Sequence, residues 1–402
     1  MVVVTGIGMV SPHGNDPQTA FRAILRGESA ISEVAGSGPQ GVAAATCEFD
    51  ESQWFTRLQL TGVDRVSQLA VAAAEMALSN AGLVDRLDPE RTGVYGACGM
   101  GGAAALETAY MAGARGGRTP PLTIPAFMPN APAAHIAMRL GVLGPVLTYS
   151  IACAASAVAI AEAGKAIASG EIEVAVAGGS EALIVPGVIQ AWEAMHTLAR
   201  FKPGEASTSC RPFALGRSGF ALGEGAAFLV LEAAEAARRR GAHVYAELAG
   251  SGLSCDATHL TKPDVQGQAR ALRGALKSAG LLPRDVGYCN AHGTATAVGD
   301  VVESQALGSV WADELSGLLV SSTKSMHGHL LGAAGALEAV YTILALGQRE
   351  LPPSAHCADQ DPACPIPLVR EVGTRAPRLN AAISSSFAFG GTNAVLAFKR
   401  YA

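Results

Sequence analysis

The chain has 402 residues, 49% of them hydrophobic and only 16% charged, with a formal net charge of −5 at pH 7. That balance predicts a large buried core with apolar surface hidden in a partner, and it argues against general nucleic-acid binding because no basic tract or aromatic-rich basic stripe occurs. Eight cysteines without a CxxC pair support neither zinc nor a disulfide framework. The apolar start MVVVTGIGMV lacks a basic leader region and is too short to span a bilayer, so a reducing cytoplasm is expected.

In chain order, VVVTGIG at Val2 reads as a first strand, rich in β-branched residues and closed by glycine. Helical spacing follows over Arg65 to Ala81, then the strands GVYGAC and VLTYSIAC, a helix over Ala154 to Ala168 and the strand EVAVAGGS. Past a boundary near residue 242, YAELAGSG, VGYCNAHG, LLVSSTKS, AAISSSFAF and NAVLAFKR read as strands, with helices over Gln268 to Ala279 and Val301 to Leu307. The segment ALSNAGL at Ala77 recurs as ALKSAGL at Ala275, and each copy leads through a charged loop into a strand. This suggests two related halves, 1–242 and 243–402. Chance similarity between alanine-rich helices is the plain alternative.

Four segments carry chemistry. Cys153 opens a small-residue helix, YSIACAASAVAIAEAGKAI, and helix N-terminal N–H groups can lower a thiol from about 8.5 to roughly 3.5–7.5. A buried structural cysteine is the alternative at this residue taken alone. His292 lies in NAHGTATAVGD and His329 in KSMHGHLLGAAGA, each in a glycine-rich setting where backbone approaches a ligand closely. A thiolate with imidazole partners is a recurrent acyl-transfer set. The glycine turn in SSSFAFGGTNAVLAF offers backbone N–H groups suited to an oxyanion hole.

Together with SCRPFALGRSGFALGEGAAFLVLE, these motifs resemble the elongating β-ketoacyl-[acyl carrier protein] synthases of the thiolase superfamily, over essentially the whole chain. WEAMHTLA and KSMHGH resemble the branch that includes nodulation-type and type II polyketide (polyene) synthases. The resemblance implies an α/β thiolase fold of two βαβαβαββ halves in five layers, α-β-α-β-α. It implies decarboxylating Claisen condensation of an acyl chain, held as a thioester on Cys153, with malonyl-acyl carrier protein, in fatty acid or polyketide synthesis. His292 and His329 would stabilise the enolate, with Lys324 and its acidic partner Glu303 in support and the amides of Cys153 and Phe389 forming an oxyanion hole. Thr294 and Thr296 would contact the phosphopantetheine arm, while Met100, Trp192 and Phe389 would line or gate the acyl pocket.

No metal and no free cofactor are implied, since substrates arrive on the carrier's phosphopantetheine. The expected partners are an acidic acyl carrier protein and a second chain, giving a homodimer or a heterodimer with a chain-length-factor-like subunit. Arg57, Arg65, Arg115, Arg118, Arg200 and Lys202 are candidates for docking the carrier. An acyltransferase using a non-malonyl acceptor on the same fold stays open. The family pattern is broken at Ala388, where glycine is usual beside the gating Phe, and at Ala214 and Ser218, where acidic residues are usual.

Overall fold

Ten strands form one continuous sheet in the computed structural model, which describes residues 1–38 and 40–401. They are β1 (Val2–Val10), β2 (Thr92–Ala97), β3 (Val146–Tyr149), β4 (Val174–Glu181), β5 (Gly225–Ala233), β6 (Ala246–Cys255), β7 (Tyr288–Asn290), β8 (Leu319–Ser321), β9 (Ala381–Phe387) and β10 (Thr392–Lys399). The order across the sheet is β8-β7-β9-β10-β6-β1-β5-β4-β2-β3. Numbered within each half, both halves run third, second, fourth, fifth, first. They also share orientations: the first three of that order are mutually parallel and the last two antiparallel. An antiparallel pairing of Val2–Val4 with Ala246–Leu248 joins the halves.

Five helices cover this frame: α1 (Arg65–Asn80), α2 (Ala155–Ser169), α3 (Val265–Ala279), α4 (Gly299–Trp311) and α5 (Ala334–Gln348). Helices α2 and α5 pack on each other and on strands of both halves, while α1 covers the outer face of β1 and β5, and α3 that of β6 and β10. The result is the five-layer α-β-α-β-α arrangement. Both central helices are apolar enough to cross a membrane by composition, yet 72% of one span and 89% of the other are buried inside the protein. Strands on both of their faces explain that all-round hydrophobicity.

Small residues permit this packing. A Cβ at Gly6 or Gly8 of β1 would lie 2.3 or 2.1 Å from a carbonyl oxygen of α1, so the bare strand lets the alanine-rich helix sit directly on it. Two strand readings needed revision. Gly225–Ala233, met first as part of a motif, is a central strand with eight of its nine residues buried, and the stretch read as VLTYSIAC ends at Tyr149, short of Cys153.

Candidate active site

Between β3 and α2 the chain turns through a 3-10 segment, Ala152–Ala154, with Ala152 at φ 41°. A non-glycine residue in the left-handed region costs energy and marks a position that the surrounding fold holds in place. This elbow lifts Cys153 out of the sheet at the N-terminal end of α2. His292 lies two residues past β7, where Glu303 of α4 accepts the backbone N–H groups of His292 (2.8 Å) and Gly293 (2.7 Å). His329 is pinned by its own backbone: its N–H donates to Ala221 O (2.8 Å) and its carbonyl accepts from Gly223 N (2.9 Å). The GFALGEG segment therefore serves as a short splint for this histidine.

Cys153 Sγ and one nitrogen from each of His292 and His329 lie within 4.8 Å of one another, all buried. His329 Nε2 is 3.0 Å from Cys153 Sγ. The backbone N–H of Leu331 donates to His329 Nδ1 at 3.3 Å, which leaves Nε2 as the protonated nitrogen aimed at the sulfur. A metal-ligating imidazole instead donates its second N–H to an acceptor, so this tautomer leaves no lone pair at Nε2 for an ion. The N–H groups of Phe389 and of Cys153 itself also reach the sulfur.

Burial dominates the electrostatics. It pushes the Cys153 thiol up to about 12, against the opposing pull of Lys324 and the two amides. The expectation of a lowered thiol from its helix position is thus corrected, because removing the sulfur from water outweighs those partners. Burial, then the nearby Lys324, holds His292 and His329 well below the usual histidine value. Both rings stay neutral, each with one N–H to offer.

Lys324 is fully buried and forms its ion pair with Glu338 of α5, which corrects the expected pairing with Glu303. Glu303 spends its oxygens on the two backbone amides beside His292, and burial raises its acid to about 7. Glu338 is a lone carboxylate inside an otherwise apolar helix, AGALEAVYTILALGQ, so its sequence context reads as core and nothing local marked it as the partner.

A cavity of about 490 Å³ leads to Cys153, lined by Trp192, Thr294, Thr296 and Phe389 among others. Trp192 meets Phe220 edge-on (5.4 Å between ring centroids) and Phe389 at 6.3 Å, while Phe220 meets His329 edge-on at 5.4 Å. Thr294 and Thr296 touch through their hydroxyls at 3.1 Å, and Thr296 Oγ1 accepts the N–H of Gly299 at the start of α4. Met100 does not line this cavity; it is 47% exposed, with its N–H near Glu181. Arg65 is removed from the docking candidates, because Glu224 and Cys47 O engage its guanidinium. Arg57, Arg115, Arg118, Arg200 and Lys202 are exposed, and of these Arg200 lines the cavity, with His259 and Lys262. Those last two were missed because nothing in their sequence context sets them apart from ordinary surface residues.

At Ala214 and Ser218 the usual acidic groups are replaced by other contacts. Ser218 Oγ accepts the N–H of Arg200 (2.9 Å), and buried Arg217 pairs with Asp361 at 2.6 Å and Asp300 at 3.5 Å.

A cysteine at a strand-to-helix elbow in one half, faced by two neutral histidines from the other, on a doubled five-stranded frame, defines a thioester-forming enzyme of the ketosynthase type. The chain belongs to the β-ketoacyl synthase family: the family described as "Beta-ketoacyl synthase, N-terminal domain" matches residues 1–237, and "Beta-ketoacyl synthase, C-terminal domain" matches residues 245–358. Nodulation protein E of Rhizobium meliloti is 41% identical over 404 residues, covering 99% of each chain. The 3-oxoacyl-[acyl-carrier-protein] synthase 2 of Staphylococcus aureus (strain COL) is 36% identical over 411 residues, covering 100% of this chain and 98% of the relative. The solved ishigamide ketosynthase/chain length factor superposes with a TM-score of 0.93 at 30% identity, covering 100% of this chain and 99% of that one.

Proposed function

We propose that this β-ketoacyl synthase extends acyl chains by decarboxylating Claisen condensation between carrier-bound substrates. The observation that carries this reading is the protonated Nε2 of His329 held 3.0 Å from Cys153 Sγ with His292 beside it. In the first step Cys153 sulfur attacks the acyl thioester carbonyl, and the proton leaves with the carrier's pantetheine thiol. The amides of Cys153 and Phe389 receive the oxyanion of that tetrahedral adduct. In the second step the malonyl thioester loses CO₂, and its electron pair becomes an enolate whose oxygen accepts N–H donors from His292 and His329. The enolate carbon attacks the acyl-Cys carbonyl, the C–S bond breaks, and the sulfur regains a proton from solvent. Neutral imidazoles suit this step because each donates where charge develops without needing to lose a proton.

Lys324 and Glu338 act as a positioning pair, and Thr294 and Thr296 offer hydroxyls to the pantetheine amides. Trp192, Phe220 and Phe389 bound the space beside the acyl group. Arg200, His259 and Lys262 at the cavity mouth fit an acidic acyl carrier protein. The eight free cysteines fit work in a reducing cytoplasm.

The partner is a second chain of the same fold. Strand β3 is an unpaired sheet edge with Val146 and Leu147 exposed, and the segment leading to it exposes Tyr110, Met111, Ile124 and Met138. An apolar edge of this kind calls for a covering surface. A second copy or a chain-length-factor-like subunit fits, the latter supported by the ishigamide pair.

The reading is tested by intact-mass analysis after incubation with acyl carrier thioesters of graded length and malonyl carrier. An adduct on Cys153 and a β-keto product two carbons longer are expected, with both lost in Cys153→Ala. Acylation without extension would instead favour a non-malonyl acceptor or a required partner.

A further inference from the structure

The matching strand order of the two halves gives every part of the active site a counterpart. The elbow Ala152–Ala154 before α2 corresponds to Leu331–Ala333 before α5, and each is a 3-10 turn opened by a left-handed residue, Ala152 at φ 41° and Leu331 at φ 48°. Gly332 therefore stands where the first half has Cys153. Counting back two residues from each elbow sets Ser150 against His329. Counting two past the ends of β2 and β7 sets Gly99 against His292. The second constellation, Gly332, Gly99 and Ser150, carries no thiol and no imidazole, and its one hydroxyl, Ser150 Oγ, donates to Gly99 O at 3.0 Å with no base beside it in the set to activate it.

Its place is taken by a carboxylate. Glu181, the last residue of β4, is fully buried, and Oε2 accepts the N–H groups of Gly99 (2.6 Å) and Gly332 (2.9 Å), while Oε1 accepts that of Met100 at 3.4 Å. The backbones are too close for side chains: a Cβ on Gly332 would lie 2.3 Å from Gly99 N, and one on Gly99 would lie 2.5 Å from Glu181 Oε2.

We infer that Glu181 is a positioning residue: it plugs the vestigial counterpart of the active site and ties the loop after β2 to the turn that orients His329. Gly332 follows Leu331, whose N–H sets the His329 tautomer. Fixing the Gly332 amide thus fixes the donor that keeps His329 Nε2 protonated and facing Cys153. On its other side the same carboxylate holds Met100, next to the exposed apolar segment, so a shift there reaches His329 through one side chain. Cys153 is held by a different elbow and is spared.

The role rests on the condensation reading for its consequence, but not for its geometry. Glu181→Gln puts an amide NH₂ among three N–H donors and leaves at least one unpartnered. It is expected to lower malonyl-carrier decarboxylation kcat about tenfold, with KM and Cys153 acylation each within about twofold, as suits a small misplacement of one donor. Histidine ¹⁵N NMR should then show His329 Nδ1–H mixed with the Nε2–H form. Gly99→Ala, which pushes on the same carboxylate, should reproduce both effects, and the double variant should be no worse than the poorer single one. The inference is overturned if Glu181→Gln and Gly99→Ala leave decarboxylation and the His329 tautomer as in the wild type. It is equally overturned if both half-reactions fall together with the melting temperature. Should the wild-type protein neither acylate nor decarboxylate, the condensation reading fails, and the NMR comparison still decides whether Glu181 positions His329.

Discussion

His329 Nε2 approaches Cys153 Sγ to 3.0 Å although the two residues are 176 positions apart, and each belongs to a different half of the fold. The contact spans the central helix layer, where α2 and α5 pack together. Its tautomer is set locally by Leu331, while its position is set by the packing of the two halves.

Loss of either imidazole should separate the two half-reactions. His292→Ala and His329→Ala are each expected to lower condensation and malonyl decarboxylation about 10²- to 10³-fold, the usual cost of removing one donor to developing charge. Transfer of the acyl group to Cys153 should survive in both, since the amides of Cys153 and Phe389 remain. Intact-mass kinetics of acylation beside product assays would check the separation.

The pH dependence of Cys153 follows from its raised value of about 12. The reactive thiolate grows about tenfold per pH unit below that value, so iodoacetamide labelling should climb from pH 7 to pH 9.5 without levelling off. Because His292 and His329 are depressed well below 6.5, no inflection from either is expected above pH 6. A plateau in labelling below pH 8 would mean that the helix N-terminus and the N–H donors outweigh burial.

Removing Lys324 leaves Glu338 buried without its cation. Lys324→Ala should cost about 3–5 kcal/mol of stability, and Lys324→Met combined with Glu338→Leu should recover much of it by replacing the pair with packed apolar groups. Burial raises the Glu338 acid to about 7 and Lys324 opposes that rise, so without the lysine it rises further. A group raised in the folded state loses stability as pH climbs from its unfolded value towards its folded one. The single variant should therefore lose more stability at pH 8 than at pH 6 in urea unfolding.

Trp192 closes one side of the acyl space through its contacts with Phe220 and Phe389. Trp192→Ala is expected to shift the product distribution to longer chains. The half-buried ring contributes less than a core tryptophan, so the stability loss should fall below the ~3–5 kcal/mol of a fully buried one. Product profiling by mass spectrometry would detect the shift, and an unchanged distribution would assign the length limit to the partner chain.

Edge strand β3 offers a direct test of assembly. Leu147→Asp places a charge on the exposed apolar edge and should yield a monomer by light scattering, with little loss of monomer fold by circular dichroism. A wild-type protein that is already monomeric alone would favour the heterodimer.

The sequence by itself determined the parts whose information is local. Strands rich in β-branched residues, the small-residue helix after Cys153 and the glycine-rich settings of His292 and His329 are written in neighbouring residues, so motif and period were enough to single them out. The repeat of ALSNAGL as ALKSAGL hinted at two halves, which the shared strand order bears out. Only the tertiary structure decided what depends on packing across the chain. Lys324 pairs with Glu338 rather than Glu303 because α5 passes beneath the site, and Arg65 is taken up by Glu224 from a distant turn. The thiol is raised rather than lowered because desolvation is a property of everything packed around it. Glu181 gave no signal in a strand that reads as plain GGSE; its meaning comes from Gly99, brought to it by the neighbouring strand β2, and from Gly332, which meets it only when the two halves close on one another.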